Sequence, residues 1–72
     1  MQRQAVHSST LASVGYDVTT LLLELEFRSG AVYQYLGAPH RVYRDLIEAK
    51  SKGRYFNQNI RDRFPCLHLR KR

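Results

Sequence analysis

Leu21-Leu22-Leu23-Glu24-Leu25-Glu26-Phe27-Arg28-Ser29-Gly30-Ala31-Val32-Tyr33-Gln34-Tyr35-Leu36 is the stretch that decides the fold. In its first half Leu21, Leu23, Leu25 and Phe27 alternate with Leu22, Glu24, Glu26 and Arg28, so a strand there has one apolar and one charged face. Arg28-Ser29-Gly30 is a turn signal, and Ala31 to Leu36 is rich in β-formers. Together they predict a β-hairpin. Tyr33 and Tyr35 lie two apart and share a face of it, and the turn decides which. A two-residue Ser29-Gly30 loop sets Glu26 opposite Tyr33 and places both tyrosines on the charged face. A type I turn with a Gly bulge sets Phe27 opposite Ala31 and places them with Leu23 and Leu25. One residue of register separates the two outcomes. The two-residue loop requires positive φ at Ser29, whereas the bulge requires it only at Gly30, so turn chemistry favours the bulge.

Working outward, a first strand is expected near Leu11–Tyr16, joined to the hairpin through Asp17-Val18-Thr19-Thr20. Gly37 ends the third strand, and Pro39 suits the first turn of a helix. Val42, Tyr43, Leu46, Ile47 and Ala49 recur at three- and four-residue steps as one helical stripe. Ser51-Lys52-Gly53 is read as its stop, with Gly53 in a left-handed cap. Arg54 to Phe64 reads as a second helix, with Phe56 and Ile60 four apart, closed by Pro65. The expected class is α+β: a three-stranded antiparallel β-meander followed by two helices packed on one face, β-β-β-α-α. Residues 1–7 are assigned to a flexible N-terminus, 8–64 to the domain and 65–72 to a basic flexible tail.

A chain of 72 residues is enough for one domain. It buries only ~60% of its unfolded surface, leaving a thin core and no deep substrate cleft. Cys66 is the single cysteine, so no intramolecular disulfide forms, and a reducing cytoplasm is the expected location. No secretory pattern opens the chain, and the apolar run Leu21-Leu22-Leu23 is far short of the ~20 residues of a membrane span.

The net charge of +6 is unevenly placed. Residues 1–49 hold Arg3, Arg28, Arg41 and Arg44 against Asp17, Glu24, Glu26, Asp45 and Glu48, a net of −1. Residues 50–72 hold Lys50, Lys52, Arg54, Arg61, Arg63, Arg70, Lys71 and Arg72 against Asp62 alone, a net of +7. A solubilising tail would carry such charge, but a polyanion partner would exploit its segregation.

Patterns for catalysis are missing. His7, His40 and His68 lie in three separate regions with one cysteine and no ligand spacing, so no metal is expected. Ser8 and Ser9 read as turn residues, Cys66 has no His–Asp arrangement around it, and Glu24 and Glu26 read as solvated. Gly15, Gly30, Gly37 and Gly53 form no phosphate-binding cluster. The expectation is a protein with no catalytic residues and no cofactor.

Three stretches carry a resemblance: SSTLASVGYD (Ser8–Asp17), LELEFRSGAVYQYLGAP (Leu23–Pro39) and VYRDLIEAKSKGRYFNQNIR (Val42–Arg61). In order and spacing they resemble the KTSC family, a short domain found at the C-terminus of some lysyl-tRNA synthetases and as stand-alone bacterial proteins. The Tyr-x-Tyr hallmark falls on Tyr33 and Tyr35. Ser-x-Gly-x-Tyr-Phe-Asn-x-x-Ile-Arg falls on Ser51, Gly53, Tyr55, Phe56, Asn57, Ile60 and Arg61. Ala38 departs from the pattern, and the segment Cys66–Arg72 has no counterpart in it. Placement beside a tRNA-charging enzyme implies RNA binding, and the resemblance implies no catalytic activity.

The expected function is therefore nucleic-acid binding, with RNA favoured over DNA. Lys50, Lys52, Arg54, Arg61 and Arg63 would hold phosphates, and Asn57 a base edge or 2′-hydroxyl; Tyr55, and less directly Tyr33 and Tyr35, would stack bases. Lys50 with Arg54, and Asn57 with Arg61, would share faces of a continuous helix. Four to six phosphate contacts would give a log–log salt slope of roughly −3 to −5. Against this, Asn57 is a habitual cap residue, and Arg61 has Asp17 or Asp45 as candidate ion-pair partners. The alternative is a protein-interaction or self-association module, a homodimer included, that recruits a partner through a free sheet edge.

Overall fold

The alternating leucine segment forms β3 (Leu22–Phe27), the central strand of a five-stranded antiparallel sheet in a computed structural model that describes residues 2–71. Around it lie β1 (Arg3–Ala5), β2 (Leu11–Asp17), β4 (Val32–Leu36) and β5 (Cys66–Arg70), and the order across the sheet is the order along the chain. The helices α1 (His40–Glu48) and α2 (Lys52–Asn59) fall between β4 and β5.

The turn after β3 is the bulged one. Phe27 N–H donates to Ala31 O at 2.9 Å, Gly30 N–H donates to Phe27 O at 2.9 Å, and Gly30 takes φ 98°. Leu25 therefore pairs with Tyr33 and Leu23 with Tyr35, placing both tyrosines on the apolar face. At the other end of β3, Asp17 Oδ1 accepts from Thr19 N–H at 2.9 Å, and Leu21 closes the four-residue loop at φ 58°. Leu21 thus belongs to the turn and is exposed, outside the apolar face the alternation assigned it to.

Three expectations are corrected. The sheet has five strands rather than three, because β1 pairs with β2 (Gln4 opposite Val14) and β5 pairs with β4 (Tyr33 opposite His68). The ends read as flexible, residues 1–7 and 65–72, supply these two edge strands; Met1 and Arg72 lie outside the described residues. Gly53 is no left-handed cap. It sits in the first turn of α2, whose N-cap is Ser51, with Ser51 Oγ accepting from Arg54 N–H at 3.3 Å. Glycine is needed there for close approach: a Cβ on Gly53 would stand 2.5 Å from Thr10 Oγ1 and 3.1 Å from Thr10 Cβ.

Both helices cover one face of the sheet. Leu11, Val14, Leu23 and Leu25 from the strands meet Leu46 of α1 and Phe56 and Ile60 at α2, all buried. Tyr16 locks the β4–α1 connection from below, its hydroxyl donating to Ala38 O at 2.7 Å. On the opposite face the two carboxylates of β3 are paired, not simply solvated. Glu24 is buried, accepting from Gln34 at 2.9 Å and pairing with Arg3 at 3.1 Å. Glu26 accepts from Ser13 Oγ at 2.7 Å and from Arg70 Nη2 at 3.2 Å. Each edge strand is thus fastened to the central strand by one arginine. Among the described residues, no helix is long and apolar enough to cross a membrane.

Candidate nucleic-acid interface

The bulged register brings Tyr33 and Tyr35 beneath the C-terminal end of α2, where the sheet and the turn after the helix leave a groove of ~450 Å³. Its floor is aromatic. The rings of Tyr33 and Tyr35 lie 6.2 Å apart and nearly parallel at 11°, and His68 from β5 sits 4.2 Å from Tyr33. Phe27 meets Tyr33 edge-on at 5.5 Å, and Phe56 meets Tyr35 edge-on at 5.8 Å. Arg61, Asp62 and Phe64 form the far wall, and Cys66 lies at one end. Tyr35 is the buried member of the pair, and burial pushes its phenol up to about 12, with Cys66 and Tyr33 adding to the effect. Tyr33 is half-buried and lines the groove. The chemistry on offer is stacking, with one guanidinium and one carboxylate at the rim.

A second groove of ~660 Å³ opens on the other side of Phe64. Pro39, Arg41, Val42 and Asp45 line it from the α1 side, Tyr55 and Asn59 from α2, and Arg63 from the turn. Burial raises the Tyr55 phenol, Asp45 adds to the rise and Arg41 opposes it.

The structure therefore splits the residues that the sequence grouped. Tyr33, Tyr35 and Arg61 line the first groove, with Asn57 Oδ1 accepting from Arg61 Nη1 at 3.5 Å. Tyr55 and Arg63 line the second. Lys50, Lys52 and Arg54 line neither. Lys50 lies before the Ser51 cap, so no continuous helical face joins it to Arg54. The Lys52 ammonium donates to Ala49 O at 3.1 Å, where a cation suits the C-terminal end of α1. Arg61 pairs with neither Asp17 nor Asp45; among the described residues the ion pairs are Arg3–Glu24, Arg44–Asp45 and Arg70–Glu26.

Sequence reasoning missed Phe27, Phe64, His68 and Arg41. His68 was legible in principle: Cys66-Leu67-His68-Leu69-Arg70 alternates as a strand does, and Cys66 and His68 share the face that meets Tyr35 and Tyr33. Arg41 belongs to the charge-balanced part of the chain and gives no signal there. Among the described residues, no cluster of three His, Cys, Asp or Glu side chains could hold a metal ion.

A family profile described as the KTSC domain matches residues 7–64. An uncharacterised protein of Stutzerimonas stutzeri is 52% identical over 58 residues, covering 81% of this chain and 82% of that one. A lysine–tRNA ligase of Nostoc punctiforme is 41% identical over 61 residues, which are 85% of this chain and only 11% of the ligase. The crystal structure of a KTSC domain protein from Yersinia pestis superposes with a TM-score of 0.92 at 44% identity, covering 94% of this chain and 96% of that one.

Proposed function

Since the chain belongs to the KTSC domain family, whose sequence recurs in a tRNA-charging enzyme, we propose that it is a non-catalytic cytoplasmic module that binds nucleic acid, and RNA in particular. The observation that carries this reading is the first groove. Its aromatic floor of Tyr33, Tyr35 and His68 lies beside Arg61, which offers a ring to stack on and a cation for phosphate in one place. Its volume falls in the range of small-ligand sites, roughly 300–1,000 Å³. Unpaired bases fit such a surface, whereas a duplex interior does not reach it.

The free cations are fewer than the sequence total implies. Arg70 and Lys52 are held internally, leaving Arg41, Arg61 and Arg63 at the grooves. Three phosphate contacts on a single strand give a salt slope of roughly −2, shallower than a count of basic residues predicts. The test is fluorescence anisotropy of labelled tRNA and of an unstructured RNA oligomer at two salt concentrations. Binding that weakens with salt, with a slope reduced by about 0.7 in Arg61→Ala, supports the reading. No binding at low salt, or binding indifferent to salt, overturns it.

A second reading, a protein-interaction or self-association module, rests on the free outer edge of β5, where Leu67 and Leu69 are each 51% exposed. Concentration-dependent sedimentation without RNA affinity would favour it.

A further inference from the structure

The two grooves share a wall. Phe64 lines both, and Arg61 and Arg63, two residues apart, line one each. Between them Asp62 takes φ 61°, a conformation an aspartate tolerates but most side chains resist. That reversal follows the end of α2, where Ile60 and Arg61 both donate to Phe56 O, at 3.0 and 2.8 Å. Asp62 in the left-handed region thus sends Arg61 and Arg63 to opposite sides of one aromatic ridge. Asp45, the carboxylate in the second groove, pairs with Arg44 at 3.6 Å. No carboxylate among the described residues pairs with Arg41, Arg61 or Arg63. Asp62 on the rim of the first groove offsets part of the pull of Arg61 on phosphate, so the rings of that groove suit a base while Arg61 meets only a flanking phosphate. The second groove offers Tyr55 as a stacking ring with Arg41 and Arg63 around it, which suits a nucleotide together with its phosphate.

We propose that the grooves on either side of Phe64 are adjacent nucleotide subsites on one single-stranded RNA track. One base lies on Tyr33 and His68, and the next nucleotide lies on Tyr55 between Arg41 and Arg63. This rests on the RNA-binding reading and adds to it a second subsite, a minimum length of two nucleotides and a direction across the end of α2.

The experiment uses the full chain and a fluorescein-labelled hexaadenylate, with AMP and the dinucleotide pApA as competitors. Arg41, Arg61 and Arg63 are exposed, so their alanine variants retain the fold. With two subsites, pApA competes at least roughly fivefold better than AMP, because a second stacked base contributes that much or more. Arg63→Ala and Arg41→Ala each weaken hexaadenylate binding and bring pApA down towards AMP. If only Arg61→Ala weakens binding, and pApA competes no better than AMP in the wild type, the second subsite is refuted while the RNA-binding reading stands. If hexaadenylate, tRNA and the unstructured oligomer all fail to bind at low salt, both are refuted.

Discussion

Gly53→Ala sets two physical effects against each other. Alanine is the better helix former, by about 0.8–1 kcal/mol in an exposed helix. Gly53, however, faces β2 rather than solvent. The added methyl would stand 2.5 Å from Thr10 Oγ1, 3.1 Å from Thr10 Cβ and 3.7 Å from Thr10 Cγ2. A rotation about χ1 moves Oγ1 away, but Cβ is fixed to the backbone of the segment entering β2. Relief therefore requires α2 to back off the sheet, loosening Phe56 and Ile60, which are 8% and 0% exposed. Overpacking of this kind costs about 1–3 kcal/mol, so the steric loss exceeds the propensity gain. The expected net is a destabilisation of about 1 kcal/mol, a fall in Tm of roughly 4–8 °C for a domain of this size. Urea denaturation of Gly53→Ala, Thr10→Ala and the double variant measures it. Thr10→Ala removes Oγ1 and Cγ2 but keeps Cβ, so the double variant should recover only the part of the loss that comes from displacing Oγ1, with a coupling of about 0.5 kcal/mol. A Gly53→Ala protein more stable than the parent by about 1 kcal/mol, with no coupling to Thr10, would show that propensity alone governs the position.

Three further outcomes are expected. Glu26 is held below its ordinary carboxylate value of 4.5, by the Ser13 hydroxyl first and by Arg3 and Arg70 after it. Its contribution is therefore full above about pH 4.5 and fades as pH falls through the lowered value, so thermal melts of Glu26→Gln should show a shallower acid slope; parallel slopes would refute the pairing. Tyr35, raised from 10.0 to about 12 by burial, stabilises the fold fully below pH 10.0 and loses that contribution as pH climbs towards 12. In an alkaline titration followed by phenolate absorbance, Tyr35→Phe should delete the last-ionising tyrosine, and deletion of an early one instead would contradict the burial argument. Tyr16→Phe removes the donor to Ala38 O, a carbonyl on a fully buried residue, and should cost about 1–3 kcal/mol by urea denaturation; an unmoved midpoint would mean water replaces the hydroxyl.

The centre of the fold was legible because its signals are local. Alternation across Leu22–Phe27 fixes β3, and the intolerance of Ser29 for positive φ selects the bulge at Gly30, which orients Tyr33 and Tyr35. Edge strands leave fainter traces. All five residues of β5 are exposed, so no buried face enforces a hydrophobic pattern, and its basic composition reads equally well as a tail. β1 has three residues, too few for periodicity to register. Gly53 misled for a different reason: a glycine after a helical stripe marks a stop, and nothing near it in sequence reveals that Thr10 stands against it. The candidate site was legible only in pieces. Phe27, Tyr33, Arg61, Phe64 and His68 come from β3, β4, the turn after α2 and β5, and no spacing rule joins positions that far apart.

Strand order that follows chain order has a consequence for when each part of the molecule comes into being. β1 to β4 pair with immediate neighbours and close through short loops, which favours early formation. β5 reaches β4 only after both helices have been traversed, a closure of about 30 residues with a correspondingly larger entropic cost. No buried core residue lies on β5, yet Cys66 and His68 wall the first groove. That ordering favours assembly of the hydrophobic interior before the first groove. Opening of β5 alone, visible as faster amide exchange in Cys66–Arg70 than in β3, would abolish the groove while leaving the core in place.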